Sequence, residues 1–243
     1  MNNGFPWIRF KGILSNSIPD IVVTSLPSPR KAAQRVETLT VPGRSGTLNI
    51  VDGGSDTITL PIKLFAYNRA AADKADAWLC DSGELILSTY PDRVFTATVY
   101  DGFEWTEDED LGTFETTVTF KAHPFPRVNI NSTYTVDDGG SIVIDNPYNV
   151  ESYPLFKVIR SDTELDEPPA ILLTVNGYNV LNITDGAIEG ATIDTDIMEC
   201  WDTNRSQINE YCFEYPVFAA GKKSTITVSG ASLIIDPRWR CKT

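Results

Sequence analysis

Hydrophobic and polar residues alternate with a period of two along much of the first half of the chain. The clearest run is 58–64, which reads Ile-Thr-Leu-Pro-Ile-Lys-Leu and has the pattern of a strand with one buried face. Pro61 has no N–H to donate to a neighbouring strand, so we expect it at an open edge. Further strands are predicted at residues 7–10, 21–24, 36–41, 47–51, 85–87, 94–100 and 114–120, with turns at 52–55 and 90–92.

One stretch changes to a helical period. Apolar side chains recur at spacings of three and four between Ala71 and Leu79, and Asn68 is a residue type that caps helix N-termini. We expect one amphipathic helix over residues 69–80, with Gly83 ending it. The first half is therefore predicted to be a β-sandwich or open barrel with a single helix packed on it.

The densest local signal is the turn segment 41–48. Pro42 presets φ and Gly43 accepts a positive φ, as the two central residues of a type II turn require. The alternating segments on either side then form a hairpin that presents Arg44 near its tip. A solvated arginine on a hairpin tip explains this pattern without any function.

A proline-rich segment separates two β-rich halves. Residues 123–126 read His-Pro-Phe-Pro, and the two prolines lack the N–H groups that would continue the preceding strand. We therefore place a boundary between two domains here, 1–126 and 127–243. In the second half Asn176-Gly177 is a strong hairpin signal. Strands are predicted at residues 141–144, 155–160, 170–175, 178–183, 191–193, 216–218, 224–228 and 233–235. This spacing is typical of a jelly-roll-like sandwich, and the predicted fold class is all-β with one helix.

The composition is that of an acidic globular protein. The 243 residues are 42% hydrophobic and carry a formal net charge of −13, which argues against nucleic-acid binding by counterion release. No apolar run is long enough to span a membrane and the start lacks the features of a signal peptide, so we expect folding in the cytoplasm. The cysteines Cys80, Cys200, Cys212 and Cys241 show no metal-ligand spacing and are expected to be free thiols. A Cys200–Cys212 disulfide remains the alternative.

Few residues are suited to catalysis. His123 is the single histidine and lies between a strand end and a proline, which argues against a catalytic triad or a two-histidine metal site. The densest carboxylates suggest a glycosidase pair or a calcium loop, but the glycine and the terminal glutamate of an EF-hand are missing, and a solvated surface is the ordinary interpretation. These carboxylates are Asp194, Asp196, Glu199 and Asp202. We predict no catalytic residue, no metal site and no cofactor.

Two groups of surface residues are candidate contacts. The acidic block within residues 104–110, which contains Glu107 and Asp108, is either a solvated loop or a contact to a basic partner. Aromatic residues lie near predicted turns of the second half, and Trp201 and Tyr211 among them are candidate platforms for a sugar, although core or rim packing is the more common role of such rings.

The order of several short motifs resembles the distal tail protein (Dit) family of long-tailed, non-contractile bacteriophages. Residues 42–48, Pro-Gly-Arg-Ser-Gly-Thr-Leu, are similar to the family's N-terminal signature, and His123-Pro124-Phe125 is similar to its mid-chain strand end. The chain then closes with Ile-Asp-Thr-Asp at 193–196, Tyr-Pro-Val-Phe-Ala-Ala-Gly at 215–221 and Pro-Arg-Trp at 237–239, which resemble the family's closing pattern. Ser45 stands where Asp is common, and Tyr215 where Phe is usual. The resemblance covers nearly the whole length.

The resemblance implies a structural role in a virion. It implies an N-terminal domain that forms a homo-hexameric ring at the end of the tail tube, and a galectin-like C-terminal sandwich that points outward. The implied partners are the tail tube protein, the tape measure protein and the tail-tip hub, with a receptor-binding protein or host cell-surface carbohydrate reached through the second domain. Assembly would take place in the host cytoplasm, and no catalytic role is implied.

The same resemblance directs attention to certain side chains as ring or lumen contacts. Arg44 on the turn, the basic pair Arg30 and Lys31 in the proline-rich loop 26–31, and the acidic pair Glu107 and Asp108 are the candidates. The competing class is a carbohydrate-binding β-sandwich module of a cell-surface or cell-wall-targeting protein, which would use convergent aromatic residues and would have no reason to form a ring.

Overall fold

The chain divides into two compact units. The structure, a computed structural model, describes residues 5–28, 31–40, 42–43, 45–130, 132–160 and 168–242, with the backbone alone at 51–53. The first unit comprises residues 1–129 together with 242–243, and the second comprises 130–241. The division falls after residue 129 because the short strand Arg127–Val128 pairs with a strand of the first unit.

The first unit is built mainly of antiparallel strands. They are β1 (Ile8–Phe10), β2 (Ile13–Leu14), β3 (Ile21–Ser25), β4 (Gln34–Thr40), β5 (Thr47–Ser55), β6 (Ile58–Ala66), β7 (Ser82–Leu87), β8 (Tyr90–Val99), β9 (Thr106–Asp108), β10 (Thr113–Ala122) and β11 (Arg127–Val128). Its main sheet has the order β2-β1-β7-β8-β10-β6-β3, with β9 on β10 and β11 on β8. Alternate residues of β6 are buried as the period of two predicts, from Ile58 to Ala66.

Pro61 lies at an open edge, as the sequence predicts. On one side of β6 it faces Thr119 of β10. On the other side β3 pairs with residues 63–66 of β6, and none of the strands that the structure describes pairs there with the part of β6 around Pro61. A residue without an N–H is therefore placed where no donor is required.

The α-helix α1 (Arg69–Trp78) covers the core of this unit. Asn68 caps it, because its side-chain oxygen accepts a hydrogen bond from the Ala71 N–H at 2.9 Å. Ala71, Ala75 and Trp78 are buried, and the Trp78 indole N–H donates to the Phe10 carbonyl at 3.0 Å. The described part of the chain contains this one α-helix, and it is too short to cross a membrane.

The second unit consists of two antiparallel sheets. Its strands are β12 (Tyr134–Val136), β13 (Ser141–Asp145), β14 (Leu155–Arg160), β15 (Ile171–Val175), β16 (Tyr178–Ile183), β17 (Gly190–Asp194), β18 (Glu199–Asp202), β19 (Lys223–Ser229) and β20 (Ala231–Asp236). One sheet has the order β12-β20-β14-β17-β18 and the other β13-β19-β15-β16. Both sheets bury alternate residues, so the chain as described has the predicted all-β class with one helix.

Three predicted boundaries in the first half are wrong. Residues 52–55 continue β5 and do not form a turn, because a register shift in β4 extends the pairing to Ser55 opposite Gln34. The predicted turn at 90–92 belongs to β8, because Leu87 already pairs with Tyr90 and the turn is made by residues 88–89. Gly83 does not end the helix but lies in β7, where an added Cβ would approach the Lys11 side chain to 2.5 Å.

In the second half one predicted strand is wrong and two strands were not predicted. Residues 216–218 make a single antiparallel bridge, Ser152 to Phe218, because Pro216 cannot donate to a ladder. The unpredicted strands are β12 and β18, which are only three and four residues long. In β18 the acidic residues at both ends obscured the alternation of exposed Glu199 with buried Cys200.

Candidate functional site: the β4–β5 hairpin and two surfaces of the second unit

The strands β4 and β5 form a two-stranded sheet of their own. They pair from Thr40 opposite Thr47 down to Gln34 opposite Ser55, and among the described strands neither joins the main sheet. Every residue of β4 is exposed. A two-stranded ribbon with no third strand and no core is at best marginally stable by itself in water. Among the described strands, no third strand completes this hairpin.

One face of this hairpin is apolar. Residues directly opposite in an antiparallel pair lie on the same face, which places Leu39 with Leu48, and Ile50 with Glu37. Leu39, Leu48 and Ile50 remain 47%, 41% and 44% exposed. We call these three residues the hairpin apolar face. Exposed aliphatic side chains grouped in this way mark interaction surfaces more often than isolated ones do.

The opposite face of the hairpin is largely polar. The Thr38 hydroxyl donates to the Asn49 side-chain oxygen at 3.3 Å, and Thr40 lies opposite Thr47. Val36 is the large apolar residue described on that face, at 48% exposure. The two faces thus differ in chemistry, and the difference allows one to be tested against the other.

A backbone hydrogen bond and an exposed ion pair lie at the base of the hairpin. The Asp56 N–H donates to the Ala33 carbonyl at 2.8 Å, and Arg35 pairs with Asp56 at 3.4 Å, with both side chains more than half exposed. Exposed ion pairs of this kind contribute about 0–1 kcal/mol. These contacts close the base of the hairpin without covering its apolar face.

A groove in the second unit is lined by one tryptophan and three polar side chains. Trp201 and Glu199 point to the same side of β18, with Gln207 opposite Trp201 and Arg205 in the loop between them. The groove has a volume of about 500 Å³. Asp202 holds the loop that carries Arg205, because its carboxylate accepts hydrogen bonds from the N–H groups of Asn204 and Ser206 at 2.8 and 2.7 Å. An aromatic ring beside carboxylate, guanidinium and carboxamide groups can stack on a sugar and bond its hydroxyls.

The three closing motifs of the chain meet in one cluster of the second unit. Arg238 forms a bidentate ion pair with Asp194, with nitrogen–oxygen distances of 2.7 and 3.0 Å. Both side chains are mostly buried. The next residue, Trp239, is 4% exposed and its ring lies 5.9 Å from that of Phe218 and 6.2 Å from that of Tyr148. We call Asp194, Phe218, Arg238 and Trp239 the closing cluster.

Comparison with known proteins is informative at the level of the fold. No protein-family model matches the sequence, and no curated protein matches it. Among solved structures, the chain is similar to the crystal structure of SPP1 Dit (gp 19.1), described as a paradigm of the hub adsorption apparatus in phages that infect Gram-positive bacteria. The similarity covers 95% of this chain and 97% of that one, with a TM-score of 0.69 and 12% sequence identity. The chain has a Dit-like fold.

Of the residues predicted as ring contacts, the structure describes Lys31, Glu107 and Asp108. Arg44 and Arg30 lie outside the described residues. Lys31 is exposed and lines a groove of about 680 Å³ beside the open edge of β6. Glu107 and Asp108 are exposed in the strand β9 and not in a loop as predicted, and the Asp108 carboxylate accepts the N–H groups of Asp110 and Leu111 to close the following turn.

Of the two residues predicted as sugar contacts, one lines the β18 groove. Trp201 lines the β18 groove, whereas Tyr211 lies in the 3-10 turn Asn209–Tyr211 and is not among the residues that line it. The predicted carboxylate group is also divided among structural roles, since Asp194 pairs with Arg238 and Asp202 caps a loop. Among the residues whose placement is described, no three His, Cys, Asp or Glu side chains are grouped closely enough to hold a metal ion.

Sequence reasoning missed the hairpin apolar face. The available signal was that β4 carries an apolar residue on each of its faces, as in Val36-Glu37-Thr38-Leu39. A strand that packs one face on its own core shows a cleaner separation, as β6 does. The mixed faces of β4 therefore indicate that this strand does not pack on the core of its own chain.

Proposed function

We propose that this protein is a structural component of a phage tail, which assembles through its first unit into a hexameric ring at the end of the tail tube. The observation that carries the proposal is the unpartnered hairpin with its apolar face, in a chain whose Dit-like fold extends over nearly its full length. The ring joins the tail tube and the tape measure protein to the tail-tip hub, and the protein has no catalytic role.

The hairpin apolar face suits a contact with the next copy around a ring. In a closed ring each subunit offers one patch to a different patch of its neighbour. Burying the remaining exposed area of an aliphatic side chain contributes about 1 kcal/mol each, because full burial is worth about 1.5–3 kcal/mol. In the ring, the neighbouring copy packs against the two-stranded ribbon and gives it the packing partner that it lacks when isolated. Its occupant is accordingly a second copy of this chain.

Native mass spectrometry of the full chain, alone and in the tail-tip assembly, tests this function. The parent is expected to form hexamers, whereas Leu39→Ser combined with Leu48→Ser is expected to leave monomers with an unchanged melting temperature. Val143→Ser is the matched control, since Val143 is 58% exposed on a strand of the second unit. A parent chain that occurs only as a monomer inside the particle, or images without a six-fold class, would contradict the ring.

We further infer that the β18 groove binds carbohydrate, which extends the tail role to contact with the host surface. Its support is the single tryptophan flanked by Glu199, Arg205 and Gln207. A fluorescently labelled full chain on a glycan array tests it: Trp201→Ala should abolish the signal, while Tyr178→Ala, which truncates a 65% exposed ring elsewhere in the same unit, should retain it. If the parent chain binds a glycan but forms no hexamer, the result would favour a sugar-binding module instead. If the parent chain binds no glycan on the array, the result would contradict this second function.

A further inference from the structure

Two of the four cysteines meet at one end of the second unit. Cys200 lies in β18, the last strand of the five-stranded sheet, and is fully buried. Cys212 makes a β-bridge with Leu181 of β16, the last strand of the four-stranded sheet. Asn209 bonds to the backbone of both cysteines, and the two thiols lie close enough to perturb each other's pKa. The pair therefore spans the edge strands of the two sheets.

Backbone hydrogen bonds fix both cysteines in place. Asn209 connects them, because its side-chain oxygen accepts the Cys200 N–H at 2.7 Å and its carbonyl accepts the Cys212 N–H at 3.0 Å. The Cys200 carbonyl accepts the Ile208 N–H at 2.9 Å. On the other side the Phe213 N–H donates to the Val180 carbonyl at 2.9 Å. The contact between the thiols thus follows from the docking of residues 208–213 onto both sheet edges.

The two sulfur atoms have different chemistry. The hydrogen bond from Cys200 lowers the pKa of the Cys212 thiol, and the hydrogen bond from the Tyr215 hydroxyl lowers it further. The same bond to Cys212, together with burial, raises the pKa of the Cys200 thiol. Cys212 is also partly exposed whereas Cys200 is not. Cys212 is therefore the thiol that reagents reach first and that ionises first.

We propose that Cys200 and Cys212 are a disulfide-forming pair that links the two sheet edges of the second unit when the protein meets a disulfide oxidant. The Cys212 thiolate attacks a small disulfide, forms a mixed disulfide and releases one thiolate. The Cys200 sulfur then attacks the Cys212 sulfur, the protein disulfide forms, and the second small thiolate leaves. The protons of the two cysteines pass to the two leaving thiolates, so that the protein dithiol is oxidised and the small disulfide is reduced.

The bond would close the chain segment from 200 to 212 and restrict the unfolded chain accordingly. It would also tie the edge strand β18 to Cys212, which bridges to Leu181 of the edge strand β16. The proposal does not depend on the role in a phage tail, since it rests only on the second unit. Where an oxidant is present, the proposal reverses the expectation that all four cysteines are free thiols.

Oxidised glutathione added to the folded full chain, in a Cys80→Ser background that removes the exposed thiol, tests the pair. The expected result is a mass lower by about 2 Da, from the loss of two hydrogens, without bound glutathione. Trypsin cleaves at Arg205 between the two cysteines, so the products should include two peptides joined through Cys200 and Cys212. Cys200→Ser is expected to retain one glutathione on Cys212, and Cys212→Ser is expected to lose the mass change.

Thermal melting of the same oxidised and reduced samples gives a second measurement that needs no variant. The oxidised chain should melt at least about 4 °C higher, as a loop-closing cross-link predicts, and the shift should disappear on reduction. A parent chain that keeps both thiols under the oxidant, or that links Cys241 in place of either cysteine, would overturn the proposal.

Discussion

At the scale of single residues, the ion pair between Asp194 and Arg238 shows how distant motifs serve one structure. The two residues are 44 positions apart in the chain. Arg238 adopts a positive φ of 47°, a conformation that costs free energy for a residue with a Cβ. Its fork-shaped guanidinium matches both oxygens of a largely buried carboxylate, which a lysine cannot do. This pair explains the aspartate and the arginine without any catalytic function.

We expect Arg238→Ala to destabilise the second unit by about 3–5 kcal/mol, because it leaves the Asp194 carboxylate buried without its partner. Urea unfolding of the full chain, followed by hydrogen exchange in the second unit, measures the loss. Arg238→Lys should lose less, since it keeps the charge. Arg69→Ala is the matched control, because the Arg69–Asp73 pair has a similar distance of 3.0 Å with both side chains more than half exposed, and should cost less than about 1 kcal/mol. Equal losses for Arg238 and Arg69 would contradict this account.

Single residues also mark the limit of sequence reasoning. The alternation at 58–64 and the cap at Asn68 could be predicted because each depends on neighbours in the chain. The partners of Asp194 and Cys200 could not, because they follow from strands that meet only in the folded sheets. Trp239 is an intermediate case: the apolar strand before it favours a packed ring, and Trp239 is 4% exposed, but its ring partners Tyr148 and Phe218 could not be predicted from the sequence.

At the scale of elements, the hairpin differs from every other pair of long strands in the first unit. The strands β6 and β10 pair over nine residues and bury one side of the ladder. The strands β4 and β5 pair over a similar length with no residue of β4 buried. The sequence predicted the hairpin through Pro42-Gly43 but not its lack of a core, since turn chemistry is local and burial is not.

Hydrogen exchange can test what completes the hairpin. In dilute monomer the amides of β4 and β5 should exchange much faster than those of β6 and β10, because few buried apolar contacts hold the ribbon closed. In the assembled ring the hairpin amides should become protected. Val36→Ser on the opposite face should leave that protection intact, whereas Leu48→Ser should remove it. Equal protection of the hairpin in monomer and assembly would mean that its own chain already stabilises it.

At the scale of the whole molecule, each unit has a hydrophobic core of its own. The first core joins residues from Ile8 to Ala122 and includes the helix residues Ala71 and Trp78. The second unit buries Phe156, Phe218 and Trp239 among its own strands. The all-β class could be predicted from the sequence because the period of two recurs along the chain. The two compact units divide after residue 129, three residues beyond the proline-rich segment 123–126, because the short strand β11 pairs with β8.

Separate cores lead to a prediction about unfolding of the complete chain. Trp239→Ala removes a ring that is 4% exposed and in contact with Phe218, and truncating a buried tryptophan costs about 3–5 kcal/mol. That loss is a large share of the 5–15 kcal/mol that typically stabilises a whole domain. We therefore expect amides of β14, β17 and β20 to lose protection in the variant, while those of β6, β8 and β10 keep the protection of the parent. Trp239→Phe, which keeps an aromatic ring, should show a smaller loss in the same strands. If Trp239→Ala leaves the amides of β14 and β20 as protected as in the parent, the closing cluster does not stabilise the second unit and Trp239 serves a partner instead. If the amides of β6 and β10 lose protection as well, the two units unfold as one.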